Sequence, residues 1–226
     1  MNAITLLQLL QFADSQVPIG AAAHSLGLET LTAEETIRTE SLEEFLEGYL
    51  AEAGARDAAY CRDAHRLAAL PYEESTPQWL TLNQQLSAWQ PARESRAASA
   101  TLGRRFLQFA AGLSEQAVLR EALQAAKETQ TEVHHATAFG LVCGVSGLTE
   151  EEAALSFLQQ AMTAFVSAGQ RLLPLGQAQA SGILWRLQAS AARAATQEVE
   201  TVNSWTPLLD MASMRHPGLT TRLFIS

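Results

Sequence analysis

Apolar residues recur along nearly the whole chain at the three- and four-residue intervals of a helix. No stretch alternates apolar and polar positions for long enough to predict a strand. After Ser41, the residues Leu42, Phe45, Leu46, Tyr49 and Leu50 fall on one helical face. A short apolar helix is predicted over 4–12, ending near Asp14. Trp79, Leu82, Leu86 and Trp89 make the buried stripe of a later helix; Leu102, Phe106 and Phe109 supply the apolar area of the next. Start signals punctuate the pattern. Thr32 with Glu35, Ser41 with Glu44, and Thr149 with Glu152 read as capping boxes, in which a hydroxyl and a carboxylate satisfy orphan backbone donors reciprocally. Pro71 ends a helix, 72–75 reads as a short acidic loop, and Thr76-Pro77 opens the following helix. Ser114 caps the helix carrying Val118, Leu119, Ala122 and Leu123. Gly140 and Gly144 are spaced for close helix contact, and Pro174-Leu175-Gly176 is a turn before a final helix to residue 195. The expectation is an all-α protein, a single domain over 1–226 built as a globular bundle of about ten helices.

Composition narrows the class. With 226 residues, 47% of them hydrophobic and 17% charged, the chain can bury a core and is not disordered. A net charge of -9 argues against a nucleic-acid partner, since phosphate contacts need clustered cations. The one dense basic spot, 93–105, is interrupted by Glu94 and reads as a solvated helix face. Cys61 and Cys143 form no zinc-type pair, which fits a reducing cytoplasm. The N-terminus lacks the basic start of a signal peptide. The uncharged run over 153–170 carries too many Gln, Ser and Thr residues for a membrane span and reads as a buried helix.

The densest candidate chemistry lies in 14–29, where Pro18, Gly20 and Gly27 bend the backbone around His24, with Asp14, Ser15, Ser25 and Glu29 close by. His24 with a serine and Asp14 invites a nucleophile–base–orienter arrangement, hence a small helical hydrolase or metal enzyme. A docking surface or a hydrogen-bonded corner fits the same residues. Phosphate-loop, nucleophile-elbow and metalloprotease motifs are missing from the sequence. His134-His135 points in two directions on a helix, which makes a joint metal site weak and favours a structural or surface role; Cys61 with His65 has ligand spacing but no third ligand. The stretch 210–226 is broken by His216-Pro217-Gly218 and finishes on Arg222-Leu223-Phe224-Ile225. Such an apolar tail either packs back on its own body or orders on a partner.

Taken together, five blocks resemble the UreF-type urease accessory proteins across nearly the whole chain. They are Asp14-Ser15-x-x-Pro18-x-Gly20 with His24-Ser25-x-Gly27-Leu28-Glu29; Leu86-Ser87-Ala88 with Arg93-Glu94-x-Arg96 and Gly103-Arg104; Ala138-Phe139-Gly140; Val166-Ser167-Ala168 through Arg171 to Gln177; and Asp210 to His216 with Arg222-Leu223-Phe224. The resemblance implies an all-α, cytoplasmic, homodimeric protein that is not an enzyme and holds no metal or cofactor of its own. It implies a second accessory scaffold protein of the UreD/UreH type, an accessory GTPase of the UreG type and apo-urease as partners, with nickel handled by the complex. Membrane and nucleic acid are not among them. Partner-binding positions carried over are Asp14, Pro18, Gly20, His24, Ser25, Gly27, Glu29, Arg215, His216, Arg222, Leu223 and Phe224. If the protein completes the GTPase site, Arg96, Arg104, Arg171 and Arg222 are candidate fingers. The chain departs from the family at Val17 and Ala21-Ala22-Ala23, where aromatics are usual, and at Pro217-Gly218-Leu219, where polar residues are common.

Overall fold

The Asn2 carboxamide accepts a hydrogen bond from the Thr5 N–H at 3.0 Å and so starts the first helix, α1 (Ala3–Phe12). The structure is a computed structural model that describes residues 2–198 and 206–226. After α1 come α2 (Leu28–Ala33), α3 (Leu42–Tyr49), α4 (Ala55–Leu67), α5 (Tyr72–Trp89) and α6 (Arg93–Leu113). Then follow α7 (Ala117–Glu128), α8 (His135–Val145), α9 (Glu150–Leu172), α10 (Gln177–Ala195) and α11 (Pro207–Arg215). A π-turn, Leu50–Gly54, joins α3 and α4 into one rod, so the eleven helices among the described residues make ten rods. Among the described residues there is no strand, and the fold is all-α as the periodicity predicts.

The buried residues form one cluster with α4, α8 and α9 at its centre. α8 can approach α4 because it carries glycines on the facing side. A Cβ on Gly140 would overlap the Cys61 carbonyl, and one on Gly144 would lie 2.6 Å from the His65 carbonyl oxygen. The spacing read from the sequence is therefore a backbone-to-backbone contact. Phe106 and Phe139 stack at 5.2 Å beside it, with Phe12 and Phe157 edge-on. Leu42, Leu46, Tyr49 and Leu50 are buried and Phe45 half-buried, which bears out the one-faced helix after Ser41.

His134 fixes the entry to α8. Its ring nitrogens meet the Ser87 hydroxyl at 2.7 Å and the Ser99 hydroxyl at 3.0 Å, while its N–H donates to Asn83. Burial, with the Arg56 and Arg96 charges adding, pushes its pKa down to about 4, so the ring is neutral. His135 turns the other way, into the rings of Phe106, Phe139 and Phe157. The two rings face different neighbours and share no site with each other.

Several local expectations are corrected. Only Thr149 with Glu152 forms a reciprocal capping box. Thr32 lies inside α2, its hydroxyl bonded back to the Glu29 carbonyl, and Glu35 follows the helix at φ +53°. Ser41 ends a short turn, where its hydroxyl accepts the Arg38 N–H at 3.0 Å, so it is not free to cap α3. Residues 72–75 are helix rather than loop, because the Pro71 carbonyl accepts the Ser75 N–H at 2.8 Å and starts α5 a turn earlier. Pro77 then sits inside α5, where it removes one backbone donor. Ser114 closes α6, its hydroxyl donating to the Ala110 carbonyl, and α7 starts at Ala117 instead. Trp89, placed in the buried stripe, is 45% exposed because α5 ends there and its face runs off the core.

Two glycine substitutions test this packing. Gly140→Ala should lower stability by at least the ~1–3 kcal/mol typical of overpacking. Gly48→Ala, at a helix position with nothing within 4 Å of the added carbon, should raise it by roughly 0.5–1 kcal/mol. Denaturant unfolding measures both, and equal effects would refute the close contact.

Candidate functional site

The bend over 14–29 is built by two left-handed glycines and one leucine. Gly20 has φ +89° and opens a short turn, Ala21–Ala23; Leu26 at φ +54° and Gly27 at φ +92° lead into α2. A side chain on Gly27 would also meet the Leu209 carbonyl of α11 at 3.2 Å, so glycine serves both conformation and packing. Arg105 of α6 steadies the bend by donating to the Ile19 carbonyl at 3.1 Å.

The carboxyl-terminal tail fills this bend. The Ser226 carbonyl oxygen accepts from the N–H groups of Ser25 and Leu26 and from the Ser25 hydroxyl, and the Ile225 N–H donates to Ala23 at 2.8 Å. Phe224 is buried beneath the Arg171 guanidinium, 4.1 Å from the ring centre. Arg171 also donates to the carbonyls of Ala22 and Leu223, at 2.9 and 3.4 Å, and so clasps bend and tail together. Leu223 and Ile225 stay outside, 58% and 68% exposed, so the tail alternates in and out like a strand.

Glu29 lies at the centre. Its carboxylate accepts from the Leu223 N–H at 2.5 Å, the Phe224 N–H at 3.2 Å and His216 Nε2 at 2.8 Å. His216 is fully buried and bridges to Glu94 of α6 through Nδ1 at 2.7 Å. Burial alone would raise the Glu29 carboxyl; the hydrogen bonds from Leu223, His216 and Phe224 together hold it below its ordinary value. Arg222 stands 3.7 Å from Glu94, and Arg215 forms a two-pronged pair with Glu34 at 2.7 Å.

His24 is half-buried, its Nδ1 2.7 Å from the Ser226 hydroxyl; burial and then the Arg105 charge lower its pKa. Asp14 lines the same 160 Å³ cavity as His24 and Ser15. Its carboxylate accepts the Gln16 N–H at 2.8 Å, inside its own turn, and does not orient the imidazole. Ser25 is buried and bonded to the tail, while Pro18 is exposed on the rim. The arrangement expected of a nucleophile, base and orienter is thus not assembled among these residues. Cys61 is fully buried, its thiol pushed far up by burial, and His65 Nε2 contacts the Leu148 carbonyl at 2.7 Å. Of the sequence-selected positions, His24, Ser25, Gly27, Glu29, His216, Arg222, Leu223 and Phe224 come together. Arg215 is anchored nearby, and Asp14, Pro18 and Gly20 form the outer edge.

Sequence reasoning passed over Glu94, Arg105, Arg171 and Ser226 as parts of this corner. Glu94 was visible only within a family block, and Arg171 only within another and as a candidate finger, because their partners lie 122 and 149 residues away along the chain.

Bend and tail define an all-α protein whose signature histidines and carboxylates fasten one end of the chain to the other. The sequence profile of the UreF family matches residues 37–188. A urease accessory protein UreF of Actinobacillus pleuropneumoniae is 31% identical over 224 residues, covering 96% of this chain and 97% of the relative. The UreF of a Nostoc strain is 32% identical over 229 residues, covering 97% and 95%, and that of Haemophilus influenzae strain PittEE is 30% identical over 224, covering 96% and 94%. The chain belongs to the UreF family of urease accessory proteins.

The latch has a pH signature. Because the folded Glu29 pKa lies below its ordinary 4.5, its contribution is full above that value and is lost as pH falls through the folded pKa. Amide-exchange protection at Leu223 and Phe224 should hold from pH 7 to 5 and collapse below about 4.5. Glu29→Gln should weaken that protection already at pH 7 and remove the acid step; an unaltered acid profile in the variant would contradict the assignment.

Proposed function

We propose that this chain is a non-catalytic scaffold for urease maturation, working in the cytoplasm as a homodimer. It joins a UreD/UreH-type scaffold protein and a UreG-type GTPase, and the assembly inserts nickel into apo-urease. Nickel is cargo of the complex, and the chain needs no cofactor of its own. Family membership over nearly the full length supports this reading. The observation that carries it is the tail, whose polar backbone is held by its own body while Leu223 and Ile225 are turned outward as apolar anchors. No helix among the described residues is long and apolar enough to cross a membrane, in keeping with a protein partner for that surface.

The GTPase is regulated, in this reading, through a cation. Arg96 donates to Gln90, Arg171 clasps the tail and Arg222 faces Glu94. Arg104 is exposed and makes no hydrogen bond or ion pair among the described residues, which leaves it able to reach a partner's phosphates.

The double variant Leu223→Asp, Ile225→Asp should fold with an unchanged melting temperature yet fail to co-purify with the second scaffold protein. Host urease should then lose nickel and activity; full assembly by the variant would sink the proposal. Arg104→Ala should slow stimulated GTP hydrolysis at least tenfold (about 1.4 kcal/mol or more) in the reconstituted complex, and an unchanged rate would remove the arginine from the mechanism.

A further inference from the structure

Behind the bend, between α4, α6, α9 and α11, lies a second cavity of about 140 Å³, partly open to solvent. That is room for a molecule of several heavy atoms, since one water needs on the order of 10–15 Å³. Its walls include three buried polar atoms that have no hydrogen-bond partner among the described residues: Gln90 Oε1, Gln160 Oε1 and His135 Nε2. Gln90 and Gln160 are only 8% and 6% exposed. The Gln160 Nε2 donates to the Phe12 carbonyl at 3.2 Å, which commits that amide group and leaves the oxygen as the unfilled end. A buried acceptor without a partner costs roughly 1–3 kcal/mol, so something with N–H or O–H groups belongs against the two glutamine oxygens.

Charge and ring chemistry narrow what that is. Arg56, Asp57 and Asp210 all line the cavity; Arg56 pairs with Asp57 at 2.9 Å and also attracts Asp210, so the three sum to one net negative charge. Among the described residues, Asp210 accepts a long hydrogen bond from Thr206, at 3.4 Å. Tyr49, Phe157 and Phe165 supply aromatic walls, which favour a desolvated cation. Among the described residues no group of three or more His, Cys, Asp or Glu side chains could hold a metal ion. Amide oxygens, one carboxylate and rings suit delocalised N–H donors instead.

We propose that this cavity is a binding site for a small organic cation of the guanidinium or alkylammonium type, seated with its N–H groups on Gln90, Gln160 and Asp210 and its flat or methyl face on the aromatic wall. The site borders the tail corner through His24 and Leu26, which line it and bond to Ser226, and its occupancy is measurable on the isolated chain without the urease machinery.

The experiment titrates the purified full chain with methylguanidinium chloride and methylammonium chloride against a sodium chloride reference, reading the Gln90 and Gln160 side-chain amide resonances. Acetamide and nickel(II) chloride serve as neutral and metal probes. Saturable shifts with either organic cation, weakened at least tenfold in Asp210→Asn and in Gln160→Leu, are the expected result. Asp210 is only half-buried, so Asp210→Asn carries the test if Gln160→Leu does not fold. Absence of saturation by both cations overturns the proposal, as does an equal response to acetamide, a site-specific response to nickel alone, or full binding by Asp210→Asn.

Discussion

A carboxylate that has left water must recover its hydration from the protein, and Glu29 recovers it entirely from the far end of the chain. Two backbone N–H groups and an imidazole converge on it, and all three belong to residues 216–224. Removing such partners from a buried charge costs about 3–5 kcal/mol, more than the burial of Phe224 alone returns. The bend around His24 and the path of the tail are consequently one structural decision. Neither has a reason to keep its shape without the other.

The helical core presents this corner. α6 carries Glu94 to His216, Ser95 to Ser213 at 2.6 Å, and Arg105 to the Ile19 carbonyl. α6 is in turn set against the start of α8, since a side chain on Gly103 would collide with the Val133 and His134 backbone. α8 is fixed on α4 through Gly140 and Gly144. A chain of close backbone contacts thus runs from the centre of the bundle to the helix that holds the latch.

Helix periodicity was legible because each helix buries one face against a common core, so α3 and α9 could be read almost to the residue, whereas α8 begins at His135, a turn before the apolar run from Phe139 that marked it. Start signals were less reliable. Thr32 and Ser41 carry the right partner three residues on, yet a local turn claims their hydroxyls first, as Ser and Thr side chains often do. The 14–29 bend could be recognised from Pro18, Gly20 and Gly27, whose conformational demands are local. What it holds could not. The pairings of Glu29 with His216 and of Arg171 with Phe224 join distant residues, and nothing in single-sequence spacing reports which charges will meet. For the same reason the tail stood as either self-packed or partner-seeking, when alternate residues of it do one and are free for the other.

That alternation divides the last residues by consequence. Changes at Phe224 or Ser226 are changes to the architecture, because those side chains sit in the body of the molecule. Changes at Leu223 or Ile225 leave the architecture alone and alter only what the surface offers. A lineage can therefore rewrite every second position of one short extended segment, altering its outward face while the fold stands still.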